Sequence, residues 1–259
     1  MGRLTKLTGL AAAWLAIGVL PAHAIPPGYP LEPGEAPLPP SLQVGDHGPW
    51  VADLQLELAR AGFRPGPSDG RFGRATLSAV YAFEKLHGLT RDGAFGRTDW
   101  RRLEPVTLPD DLAPTRMEID LARQILFVVR DQQVAAVLPV SSGNGEEYRN
   151  QSGQTVTAFT PEGRFAFYRH VGGWRTSYLG ELYEPFYFRG GYALHGSTSV
   201  PPWPASHGCV RVSLGDMDWL KGELELGMPV YVYGNRLERP ASPPPGRPSA
   251  PSRPWLVPA

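Results

Sequence analysis

The sequence predicts a multidomain protein in which a small all-α three-helix bundle is followed by a mainly-β domain. Three observations predict it. Apolar residues recur at three- and four-residue spacing between Leu42 and Leu103, which is the period of a buried helix face. After Pro114 the pattern changes to alternation and short apolar runs, as in strands. Proline-rich stretches without a hydrophobic period bound this region on both sides.

The first 24 residues read as a signal peptide. Arg3 and Lys6 precede an apolar run from Leu7 to Leu20, Pro21 breaks the run, and Ala22-His23-Ala24 has the small-x-small form of a cleavage site. The run is short for a membrane span, which needs about 20 residues. Cleavage after Ala24 is expected, leaving no stable membrane anchor; a retained anchor is the alternative. Residues 25–41 read as a Pro-rich linker and 235–259 as a Pro-rich disordered tail. The chain has 25 basic and 25 acidic residues. Without Arg3 and Lys6 the mature protein stays near neutral, and no basic run suggests nucleic acid as a partner.

In residues 42–104, Trp50, Val51, Leu54, Leu58 and Ala59 form one helix face. Ala75, Leu77, Val80, Tyr81, Phe83 and Leu86 form a second. Gly62 and Gly88 sit where these helices should stop. A third short helix follows Thr98. Asp69-Gly70-Arg71-Phe72-Gly73-Arg74 is echoed by Asp92-Gly93-Ala94-Phe95-Gly96-Arg97. Asp-Gly suits a tight turn, and the second glycine of each copy is expected at positive φ before a helix. With Gly45-Asp46-x-Gly48 and Gly62-Phe63, these features resemble the three-helix peptidoglycan-binding domain. Glu84 departs from the Gln that this family often has after the Phe.

The segment 115–234 reads as strands. Met117, Ile119 and Leu121 alternate with polar residues. Ile125–Val129 and Val134–Val140 are apolar runs joined by a turn at Asp131-Gln132-Gln133, and Phe165–Tyr168 and Met228–Tyr233 add further strands. Ser213, with Asp216 three residues later, predicts a capped helix over Met217, Trp219, Leu220 and Leu224.

The chain has one cysteine, Cys209, so an internal disulfide is excluded, leaving an inert thiol, an intermolecular link or a reactive group. A thiol becomes a good nucleophile when an imidazole can take its proton. His207 lies two residues before Cys209 and shares its face if the segment is extended. His195, in Tyr192-Ala193-Leu194-His195-Gly196, comes from a strand that ends at a glycine and can approach the sulfur from a neighbouring strand. His195 is therefore favoured as base and His207 as a positioning residue. Gly208 would let a substrate come close, and backbone N–H groups around Gly208 and Cys209 could form an oxyanion hole. Ser206 can hydrogen-bond locally. Arg211 can face the same cleft and pair with a substrate carboxylate.

Leu194-His195-Gly196 and Ser206-His207-Gly208-Cys209-Val210-Arg211 resemble the signature of the L,D-transpeptidase catalytic domain. Ile119-Asp120-Leu121, Gln124, Leu126, Pro139-Val140-Ser141-Ser142-Gly143 and Thr160-Pro161-x-Gly163-x-Phe165 follow the family's order. The resemblance implies Cys209 as the acylated nucleophile, His195 as base, the Gly196 carbonyl as third member and His207 as the histidine before the cysteine. It implies attack on the third residue of a tetrapeptide stem, loss of D-alanine, and transfer to an acceptor amine that forms a crosslink. Peptidoglycan stems and glycan are the implied partners, carbapenem-type inhibitors are expected, no metal or other cofactor is required, and the destination is the periplasm or the outer wall. The loop Ser197–Ala205, with Pro201, Pro202, Trp203 and Pro204, departs from the family's usual connection. Three other readings stay open: water as acceptor, giving an L,D-carboxypeptidase; a zinc triad of His195, His207 and Cys209; and a non-catalytic wall-binding protein. Trp174, Tyr178, Tyr183, Phe186 and Tyr187 are candidates for a groove, a lid or a plain core.

Overall fold

The computed structural model describes residues 39–109 and 112–235. The expected signal peptide, most of the linker at 25–41 and all but the first residue of the tail at 235–259 lie outside the described residues.

The helical segment holds α1 (Pro49–Arg60), α2 (Arg74–Leu86) and the one-turn α3 (Arg97–Trp100). Val51, Leu54 and Leu58 of α1 and Ala79, Val80, Ala82 and Phe83 of α2 are buried, as their spacing requires, while Ala59 and Ala75 are exposed. Both helices end on glycines at positive φ, Gly62 and Gly88. The two echoed turns differ from expectation in one respect. Their first glycines, Gly70 (φ 71°) and Gly93 (φ 74°), occupy the left-handed region, whereas Gly73 and Gly96 are extended helix N-caps. The bend belongs to the Asp-Gly pair itself, and an N-cap needs extended backbone.

The second segment builds two sheets. The first, in the order β3 (Gln133–Pro139), β2 (Ile125–Arg130), β1 (Arg116–Asp120), β12 (Pro229–Tyr233), β6 (Gly163–Ala166), is antiparallel except where β1 and β12 run parallel. Asp131 and Gln132, both at positive φ, turn β2 into β3. The second follows the order β11 (Val210–Ser213), β10 (Tyr192–Ser197), β9 (Gly180–Arg189), β7 (Arg169–His170), with β8 (Trp174–Ser177) also on β9. A separate hairpin joins β4 (Glu147–Arg149) and β5 (Thr155–Thr157). The sheets bury a shared core that includes Ile119, Leu126, Val128, Phe186, Leu194, Val210 and Val212. Helix α4 (Leu214–Glu223) adds Met217 and Leu220 to it. Its N-cap Ser213 accepts from the Asp216 N–H, as expected.

The run Ile125–Val129 is apolar throughout because both faces of β2 are covered. Leu126 and Val128 face the inter-sheet core, while Ile125, Phe127 and Val129 share a cluster with Leu58, Phe63 and Phe83 of the helical segment. Polar contacts cross the same boundary. The Val137 N–H donates to the Gly62 carbonyl at 2.8 Å, Ser78 Oγ donates to Asp216 at 3.1 Å, and the Arg64 guanidinium stacks 3.9 Å over the Trp219 ring. Among the described residues no helix is long and apolar enough to cross a membrane.

Candidate active site

Parallel pairing of β10 with β11 sets the site. His195 lies opposite Arg211, and Leu194 opposite Val210. His195 and Arg211 therefore share one sheet face, because cross-strand partners do, and Cys209, in the bend just before β11, packs beside Ala193. The opposite face carries Leu194, Val210 and Val212 into the core. His195, Cys209 and Arg211 line one open cleft of about 440 Å³, together with Ser206 and His207.

His195 is buried, and its Nδ1 meets the Gly196 carbonyl oxygen at 2.8 Å. That contact assigns the proton to Nδ1 and leaves Nε2 as a lone-pair acceptor. β10 runs through Gly196 to Ser197 rather than ending at the glycine. Glycine is needed there because a Cβ would come within 2.9 Å of both Met217 Cβ and Tyr183 Cδ1. Burial, with help from the Arg211 charge, lowers the His195 imidazole to about 4 against the raising effect of the Gly196 bond.

Cys209 is half-buried, packed beside Leu182, Tyr187 and Ala193, with Sγ 3.8 Å from the Gly191 carbonyl oxygen. Burial pushes its thiol up, opposed by a backbone hydrogen bond from Ala193 and by the Arg211 charge. The resting pair is therefore a neutral thiol and a neutral imidazole.

The Ser206–Cys209 segment is bent, and the strand begins only at Val210. Gly208 stands at φ 131°, and a Cβ there would meet Tyr192 Cε1 at 2.6 Å and the Phe159 carbonyl at 2.7 Å. The condition for His207 and Cys209 to share a face, an extended segment, is thus not met. The exposed His207 ring packs edge-on against Tyr148, with centroids 4.8 Å apart. The Gly208 N–H donates to Ser206 Oγ at 3.0 Å, and that hydroxyl donates to the Cys209 carbonyl at 2.5 Å. The expected pair of oxyanion donors at Gly208 and Cys209 is therefore reduced, since the first is already committed to Ser206.

Other segments brace this bend. Ser141 exchanges both backbone hydrogen bonds with Arg211, the Ser142 carbonyl accepts from Ala205 and Ser206, and Asn144 N–H donates to Ser206. Thr160 Oγ1 accepts from Gly143 N–H and donates to the Gly208 carbonyl. Pro139–Gly143 and Thr160–Phe165 therefore hold the cysteine segment in shape. Sequence reasoning did not find the cleft walls: Tyr148 on β4, Gly191 and Tyr192, and Arg169 and Arg175 on β7 and β8. The aromatic candidates separate. Tyr178 and Tyr187 line the cleft, Phe186 is core, and Trp174 packs tilted against Tyr183, which itself packs on the core. Among the described residues no group of three His, Cys, Asp or Glu could hold a metal ion, which leaves the zinc triad without the required geometry.

Residues 114–232 match the L,D-transpeptidase catalytic domain family YkuD, and residues 47–103 match a peptidoglycan binding domain family. A crystal structure of the L,D-transpeptidase (residues 123–326) from Xylanimonas cellulosilytica is 43% identical, with TM-score 0.71, over 77% of this chain and 100% of that one. An L,D-transpeptidase structure from Stackebrandtia nassauensis is 25% identical over 75% of this chain and 96% of that one, with TM-score 0.44. An uncharacterised protein in the bpoA1 3′ region of Kitasatospora aureofaciens is 41% identical over 66 residues, which are 25% of this chain and 56% of that protein's length. The chain belongs to the L,D-transpeptidase family, with a peptidoglycan-binding segment ahead of its catalytic domain.

Proposed function

We propose that the protein is an exported peptidoglycan L,D-transpeptidase that acts through Cys209. One observation carries the reading: a cysteine and an imidazole, the latter oriented by its own neighbour's carbonyl, line one open cleft. His195 Nε2 takes the thiol proton as sulfur attacks the carbonyl of the third residue of a tetrapeptide stem. The developing oxyanion is held by the Cys209 N–H, since the Gly208 N–H is engaged by Ser206. The C–N bond breaks, His195 returns the proton to the departing D-alanine amine, and a thioester remains on Cys209. An acceptor stem amine, deprotonated by His195, attacks the thioester and regenerates the thiol. Arg211 lies beside both groups and suits the terminal carboxylate. Residues 42–104 hold the protein on the wall, and carbapenem-type inhibitors acylate the same sulfur.

The test is product analysis with a tetrapeptide donor and an amine-bearing acceptor stem. Free D-alanine and a crosslinked dimer are expected, and Cys209→Ala should yield neither while still binding isolated wall. Turnover by Cys209→Ala contradicts the assignment. D-alanine release without dimer assigns water as the acceptor.

A further inference from the structure

Two arginines outside the reacting group share its sheet face. Across the second sheet, Tyr187 of β9 pairs with both Ala193 of β10 and Arg169 of β7. With Cys209 beside Ala193, the row reads Cys209, Ala193, Tyr187, Arg169. On β8, Arg175 lies opposite Leu182, which packs in the same cluster as Cys209 and Tyr187. The floor of the cleft is thus an apolar strip with the thiol and Arg211 at one end and Arg169 and Arg175 at the other.

Both distal arginines are exposed and line the cleft. Among the described residues, the guanidiniums of Arg169, Arg175 and Arg211 have no carboxylate partner, and Glu181 is the one acid in the cleft lining. Three guanidiniums against one carboxylate leave this concave surface with an excess of positive charge, which focuses a positive potential and favours anions. Arg169 reaches back over Tyr187, its Cζ 5.2 Å from the ring centroid. Tyr187 is two strand spacings from Cys209, so that guanidinium stands about 10 Å from the sulfur. From the attacked carbonyl, at most one backbone step of about 3.5 Å together with an extended side chain leads in that direction to a carboxylate on the same residue or the one before it.

We propose that Arg169 and Arg175 form a second carboxylate subsite, which makes the enzyme selective for donor stems that carry a free side carboxylate besides the C-terminal one. This rests on the transpeptidase reading above. The carboxylate has two sources in a wall stem, the second residue and the side chain of the third, and the shared chemistry is an anion held by exposed guanidiniums.

The test measures kcat/KM for Cys209 acylation with three donors: fully acidic, amidated at the second residue, and amidated on the third side chain. One amidation should lower kcat/KM by about two- to fivefold, as expected for an exposed arginine–carboxylate pair, and the one that does identifies the source. Arg169→Gln with Arg175→Gln should bring the acid-to-amide ratio close to one, and the corresponding double Lys variant should keep most of it. Circular dichroism checks that each variant folds. Equal kcat/KM for all three donors, or an unchanged ratio in the double Gln variant, overturns the subsite while leaving Cys209 chemistry intact. Acylation by none of the donors overturns the transpeptidase reading and the subsite together.

Discussion

Lys85 Nζ, on the second helix of the wall-binding segment, donates to the Val140 carbonyl of the catalytic domain at 2.8 Å. The lysine is buried, and burial lowers its amine to about 7. Val140 leads directly into Ser141–Asn144, whose backbone pairs with Ala205, Ser206 and Arg211. The helical segment is therefore joined by a buried polar bond to the stretch that shapes the cysteine bend.

Lys85→Met should leave the Val140 carbonyl without that donor in a buried site. The expected cost is about 1–3 kcal/mol, read as a lower midpoint in chemical denaturation. Acylation of Cys209 should slow in the same variant, because the segment after Val140 loses an anchor.

Glu84 and Gln55 play equivalent parts in the two echoed turns. Gln55 Oε1 accepts from Gly70 N–H and its Nε2 donates to Asp69, Arg71 and Thr76. Glu84 Oε1 accepts from Gly93 N–H at 2.8 Å, and its buried Oε2 has no hydrogen-bond partner. Burial outweighs the Gly93 bond and, with Asp92 nearby, raises the carboxyl from 4.5 to about 8. Between these values the folded protein holds a proton that the unfolded chain has released, so stability falls as pH rises from about 4.5 to 8. Glu84→Gln should remove that dependence. Its thermal midpoint should match the wild type near pH 5 and exceed it at pH 8.

The proposed Cys209–His195 pair gives a second pH signature. With His195 lowered to about 4 and Cys209 raised, the base is neutral over the whole physiological range. Acylation should lose its acid limb only near pH 4. Alkylation of Cys209 by iodoacetamide should keep rising beyond the ordinary thiol range. Arg211→Gln should shift that rise to still higher pH, because the arginine charge favours the thiolate.

Gly196→Ala should clash with Met217 and Tyr183 and displace the carbonyl that holds the His195 ring. Overpacking of this kind costs about 1–3 kcal/mol. A misplaced base can cost about 100-fold in rate, so stopped-flow acylation should fall far more than the denaturation midpoint.

Much of this was legible where burial is one-sided or continuous. The helix faces around Leu54 and Val80, the run Ile125–Val129 and the Ser213 cap all announce themselves locally. The stretch 169–189 did not. Strands β7 and β8 are only two and four residues long, and Glu184 at φ 49° breaks the alternation of the ten-residue β9. Lys85, Glu84 and Thr76 are polar residues buried by tertiary partners, which a hydrophobic period cannot reveal. Arg169 and Arg175 reach the cleft through cross-strand register, which is a property of pairing. The bend that Gly208 (φ 131°) puts between His207 and Cys209 is set by packing against Tyr192 and Phe159, which the local sequence does not show.

Peptide mapping by mass spectrometry after brief exposure to a tetrapeptide stem tests the central claim most directly. The peptide containing Cys209 should gain the mass of the stem less D-alanine, and His195→Ala should sharply slow the gain. A folded protein whose Cys209 stays unmodified while D-alanine is released would contradict that claim.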